Sequence, residues 1–101
     1  MNYPYLNRKV YKELVVRNIM TIRRKIKKVV DGDTFQTYRK IRGTDYVRIA
    51  GIDAPEKGQP GYGVAKRRLS RLVGKTVTLT PKGRSYGRVV ASVRYKRRKV
   101  R

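Results

Sequence analysis

The chain contains no cysteine and no histidine. Without cysteine, disulfides and thiolate metal sites are excluded. Without histidine, no Ser-His or Cys-His catalytic pair can form, and no imidazole can ligate zinc. Any catalytic metal must then sit on oxygen ligands. No apolar run approaches the roughly 20 residues that span a bilayer, and Met1 to Met20 hold no apolar h-region of a secretory signal. Acidic side chains are scarce, 6 Asp and Glu against 28 Lys and Arg, for a net charge of +22. Self-repulsion on this scale opposes folding, and a polyanion relieves it. Neutralised phosphates also release condensed counterions, so DNA or RNA is the expected partner. An anionic membrane surface is the rival, since Lys and Arg meet phosphate and lipid headgroups alike, and an acidic protein is a third option.

A length of 101 residues makes one domain. Residues 1–18 read as a basic N-terminal extension. Val10 and Leu14 lie four apart and Glu13 stands four before Arg17, the spacing of a short helix. From residue 19 the period becomes two. Ile22, Ile26 and Val30 share one side of a long strand, with Arg and Lys between them. Asp31-Gly32-Asp33 turns the chain. Thr34 to Ile41 and Tyr46 to Ile49 read as strands two and three, and the Gly- and Pro-rich stretch 51–63 as a loop. Ala65, Leu69, Leu72 and Val73 form the apolar stripe of a helix, which Gly74 is placed to end. Thr76 to Thr80 is strand four, Pro81 to Gly87 a loop, and Val89 to Val93 strand five. Residues 19–95 form the domain, and 96–101 a basic C-terminal tail. The fold class is mainly β (α+β), a five-stranded OB-fold barrel with one helix between strands three and four. Another small barrel with an inserted helix has the same periodicity.

Five of the six carboxylates, Asp31, Asp33, Asp45, Asp53 and Glu56, fall within 26 residues. Each has an ordinary explanation. Asp31 and Asp33 suit a turn, Asp53 suits a cap before Pro55, and Glu56 suits a surface ion pair. Yet the pairs 31/33 and 53/56 follow strands one and three, whose ends can lie side by side in a small barrel. Converging carboxylates need a cation between them. Oxygen-only ligation favours a hard ion, calcium or magnesium, and a Gly-rich loop suits the flexible geometry of calcium better.

Three motifs then stand in order: Val29-Val30-Asp31-Gly32-Asp33-Thr34, Val47-Arg48-Ile49-Ala50-Gly51-Ile52-Asp53-Ala54-Pro55-Glu56, and Tyr86-Gly87-Arg88. Together with Tyr62-Gly63 and Leu72-Val73-Gly74-Lys75, this set resembles the staphylococcal nuclease (thermonuclease) family over roughly residues 20–93. The resemblance implies a calcium-dependent endonuclease that cuts DNA and RNA with limited sequence preference and leaves 3′-phosphate ends. It implies that Asp33 and Asp53 ligate Ca2+ through carboxylates, Ala54 through its carbonyl, and Asp31 through water. Glu56 would be the general base, and Arg48 and Arg88 would clamp the phosphate. Tyr86 would line the nucleotide pocket, with Arg84 and Lys82 as further nucleic-acid contacts.

The sequence departs from the family in two places. The helices that usually follow strand five give way to the basic tail. Either this is a natural minimal form, or another element covers the barrel, the extension through Val10, Tyr11, Leu14 and Val15 or a homo-oligomer. Ser85 stands where a Lys is common, with Arg84 beside it to supply the contact. Two other functions compete with the nuclease. A non-catalytic nucleic-acid-binding OB-fold module that retains the signature would be expected to have lost at least one of Asp33, Asp53, Glu56, Arg48 and Arg88. A basic coat protein leaves the acid cluster unexplained.

Overall fold

A computed structural model describes residues 21–100; the N-terminal extension expected over residues 1–18 lies outside the described residues. Among the described residues, six strands and one helix follow in chain order: β1 (Ile22–Asp31), β2 (Thr34–Ile41), β3 (Thr44–Ile49), α1 (Tyr62–Ser70), β4 (Thr76–Ser85), β5 (Arg88–Tyr95) and β6 (Arg98–Lys99). The first five close into a barrel. Antiparallel pairing runs β3-β2-β1-β4-β5, and a parallel β3–β5 ladder joins the two edges. This is the mainly β, five-stranded barrel with one short helix between the third and fourth strands that the sequence predicts. Among the described residues, no helix is long and apolar enough to cross a membrane.

Alternation fills the barrel. Ile26, Phe35, Val47, Ile49, Leu79, Ala91 and Val93 are buried from five strands, and Leu69 of α1 plugs one end. Closure leaves no long edge exposed for aggregation. The buried threonine hydroxyls are satisfied: that of Thr37 donates to the Arg39 carbonyl at 2.6 Å, and that of Thr44 donates to the Gly87 carbonyl at 2.9 Å. The second bond ties the β2–β3 turn to the β4–β5 hairpin.

Four local expectations are corrected. The buried face of β1 is Ile26 and Val29, with Val30 only half-buried. A register shift between Ile26 and Lys28 adds one residue and moves the inward phase. The helix stops at Ser70, so Leu72 is half-buried in the exit turn and Val73 is 42% exposed. Gly74 does take the left-handed conformation, φ 82, that ends such a segment. The stretch from Pro81 to Ser85 is not loop: β4 continues to Ser85, with an irregularity between Pro81 and Gly83, where the missing proline N–H is tolerated. Last, the tail folds back. Lys96 and Arg97, both at positive φ, turn β5 into β6, and the Val100 N–H donates to the Val93 carbonyl at 2.8 Å. Val100 packs against the core, which gives this charged stretch its apolar anchor.

Candidate active site

The barrel register sets the site. Asp31 on β1 pairs with Thr34 on β2, Thr34 with Arg48 on β3, and Arg48 with Val90 on β5. One row of partners thus crosses four strands at the end where β1 turns into β2. Arg88 opens β5 two residues before Val90, so the parallel closure brings both arginines to the same end.

The second acidic loop reaches this row by close packing at Gly32. A Cβ placed there would lie 2.7 Å from the Ala65 Cβ of α1 and 2.9 Å from the Ala54 Cβ. These distances are well inside carbon–carbon contact, about 3.5–4.0 Å. Glycine therefore lets the Asp-Gly-Asp turn, the helix and the loop after β3 meet. The result is a cleft of about 580 Å³ lined by Asp31, Asp33, Arg48, Asp53, Ala54 and Glu56, together with Tyr86 and Arg88.

Within it, Asp33 is fixed on three sides. Its carbonyl accepts from the Ile49 N–H at 2.8 Å, and its Oδ1 accepts from the Thr34 hydroxyl at 3.0 Å. Its Oδ2 lies 3.7 Å from Arg48 Nη2. Arg88 Nη1 donates to the Thr34 hydroxyl oxygen at 3.3 Å, and its Nε donates to the Ser85 carbonyl at 3.2 Å. Asp31 accepts from the Tyr62 hydroxyl at 3.1 Å. Desolvation first, then that bond and the Asp31 charge, raise the Tyr62 phenol above its ordinary value, so it stays a donor. The Glu56 N–H donates to Gln59 Oε1 at 2.7 Å, and the Gln59 N–H returns to the Glu56 carbonyl at 2.9 Å. This small loop leaves the Glu56 side chain free and exposed. Tyr86 sits at the hairpin tip with φ 50, and its side chain is 95% exposed at the mouth of the cleft.

Of the residues singled out in the sequence, Asp31, Asp33, Arg48, Asp53, Ala54, Glu56, Tyr86 and Arg88 line this one cleft. Arg84 and Lys82 are not part of its lining; Arg84 instead donates from Nη1 to the Arg42 carbonyl at 2.8 Å. Asp45, counted with the acid cluster, faces elsewhere. It accepts from Gln36 Nε2 at 2.6 Å, and that bond, with nearby Lys40 and Lys27, holds its carboxyl below the usual value. The sequence assigns no role to Thr34 and Tyr62, which stand in the quoted motifs, or to Gln59, since a lone hydroxyl or amide carries no periodic signal.

The donor set is oxygen-only, which fits a hard cation. Among the described residues, no three acidic side chains are gathered closely enough to hold a metal by carboxylates alone. Two carboxylates and a backbone carbonyl, completed by water, remain compatible with calcium's six to eight oxygen positions, and the cleft has room for those waters.

The chain is thus a small basic barrel with a polar, mixed-charge cleft at one end. No protein-family model matches it. It is 40% identical over 78 residues to a Haemophilus influenzae protein named "Uncharacterized endonuclease". The match takes in 75% of this chain but spans only 44% of that protein's length.

Proposed function

We propose that the chain is a calcium-dependent phosphodiesterase of the staphylococcal nuclease type, hydrolysing DNA and RNA with little sequence preference. The observation that carries this reading is the single cleft shared by Asp33, Asp53, Glu56, Arg48 and Arg88, which come from three separate stretches of chain. The endonuclease name of the relative supports it.

In this mechanism Asp33, Asp53 and the Ala54 carbonyl would hold the ion, with Asp31 acting through water. When bound, the ion supplies Lewis-acid polarisation of a phosphoryl oxygen. Arg48 and Arg88 present permanently charged planar forks to the other nonbridging oxygen, where charge grows in the transition state. Both are already held by Asp33, Thr34 and the Ser85 carbonyl, so little reorganisation is needed. Glu56, exposed on the cleft wall, takes a proton from the attacking water. Thr34 keeps Asp33 and Arg88 in register, and Tyr62 orients Asp31.

The test is cleavage of plasmid and single-stranded DNA with calcium, with magnesium and with chelator. Calcium-dependent cutting is expected, and Glu56→Gln should lower it by about 10²–10⁴-fold while DNA binding survives. The Asp33–Arg48 ion pair and the absence of a three-carboxylate group among the described residues favour a second reading, a binding module that does not cut. Binding without cleavage under any of the metals would decide for it.

A further inference from the structure

A second feature lies on the outside of the barrel, away from the cleft. Tyr38 of β2 is 60% exposed and packs into no core. Lys25 Nζ lies 5.8 Å from its ring centroid and Lys27 Nζ 6.0 Å, both from β1. A hollow of about 350 Å³ opens beside the ring between Arg23, Lys25, Arg39 and Thr76. Among the described residues, no carboxylate pairs with any of these cations. The Asp45 carboxylate, which accepts from Gln36 Nε2, feels the charges of Lys40 and Lys27. Lys25 stands six residues before Asp31 on the same strand, about 20 Å at strand rise.

An exposed tyrosine ring with two ammonium groups held over it suits a polyanion that carries flat apolar rings, whose phosphates can draw the lysines aside from the ring. Unpaired bases stack on tyrosine whatever their identity, while lysines hold the phosphates between them. A duplex hides its base faces and offers only the phosphates. We propose that this face of β1 and β2 is a second, non-catalytic binding surface for single-stranded nucleic acid, with Tyr38 stacking on a base and Lys25 and Lys27 holding the adjacent phosphates. It rests on nucleic acid being the partner of this protein, as the preceding section holds, but not on the cleft cutting it.

The experiment is fluorescence anisotropy in chelator, with a labelled single-stranded thymidine oligomer of about 16 nucleotides, the upper site size of one such barrel, and a duplex of equal length. Tyr38→Val keeps a β-branched strand former and removes the ring. It should weaken single-strand binding about 5–150-fold, the range that stacking of one base supplies, and leave duplex binding far less changed. Tyr38→Trp should restore single-strand binding, which a merely disturbed fold would not do. Lys25→Ala with Lys27→Ala should lower the slope of log K against log salt by about 1.4, since each single-strand phosphate contact contributes about 0.7. Asp45→Asn removes the nearby negative charge and should tighten binding. Equal single-strand affinity of wild type and Tyr38→Val would overturn the proposal. So would binding to phosphatidylserine vesicles without binding to the oligomer. Failure of the wild type to cut DNA when metal is added leaves these results standing and overturns the nuclease reading alone.

Discussion

Replacing Gly32 by alanine tests how the two acidic loops are held together. The new Cβ would meet the Ala65 and Ala54 Cβ atoms at 2.7 and 2.9 Å. Neither neighbour is the far end of a flexible chain, so α1 and the loop after β3 must both retreat. Overpacking of this kind costs about 1–3 kcal/mol. In a domain of this size each kcal/mol lowers the melting temperature by about 4–8 °C, so a drop of about 5–20 °C is expected. The catalytic effect should be larger than the loss of folded protein. The retreat needed to restore normal contact is nearly 1 Å, and it carries Ala54, with Asp53 and Glu56 beside it, away from Asp31 and Asp33. Displacements of that size lower rates about 100-fold. Thermal denaturation followed by circular dichroism, with calcium-dependent cleavage measured well below the transition, separates the two effects. Gly83→Ala is the control: nothing lies within 4 Å of its Cβ position, so stability should stay within about 0.5 kcal/mol of wild type. If Gly32→Ala melts with the wild type and cuts at the same rate, the close approach does not set the site.

Three further variants probe the supporting hydrogen bonds. Tyr62→Phe removes the donor to Asp31, and cleavage should fall about 10–100-fold, the usual effect of losing an orienting partner. Because the folded state raises the Tyr62 phenol above 10.0, its contribution to stability is complete below that pH and is lost as pH rises through the folded value. Wild type should therefore lose stability relative to Tyr62→Phe only in strongly alkaline solution, as a pH series of melting curves would reveal. Arg88→Lys keeps the charge but loses the fork that reaches both Thr34 and the Ser85 carbonyl; cleavage should drop about 10²–10³-fold while the salt dependence of DNA binding is retained. Thr34→Val is nearly isosteric and deletes the hydroxyl between Asp33 and Arg88. Urea titration should register a loss of about 1 kcal/mol, accompanied by slower cleavage.

Much of this molecule is legible in the sequence because its periods are clean. The switch from two-residue alternation to the Ala65/Leu69 spacing and back places the helix between β3 and β4. The residues of the three motifs could be assigned to one place because they stand at strand ends, and strand ends are what a small barrel gathers. Local irregularity hid the rest. A one-residue bulge in β1 reversed which valine faces inward. Pro81 and Gly83 carry the composition of a loop, yet the strand tolerates them at a register shift. Asp45 is near Asp33 and Asp53 in number but turns to the other face of its strand, where Gln36 meets it. Thr34 and Tyr62 act through single hydroxyl contacts between elements that only the tertiary register brings together.

Charge explains why the cleft differs from the rest of the surface. Its walls hold the carboxylates of Asp31, Asp33, Asp53 and Glu56 against the cations Arg48, Lys57 and Arg88, one net negative charge in a protein of +22. The surrounding field draws a polyanion in from every side, but the last few ångströms meet acids. A divalent cation between Asp33 and Asp53 would reverse that local sign and make the cleft attractive to a phosphate. Binding to the surface at large and seating in the cleft are then governed by different charges. On the proposed function, the lysines and arginines of the barrel wall would act on long nucleic acids with or without metal, and the cleft would engage a single phosphate only when its own acids are neutralised.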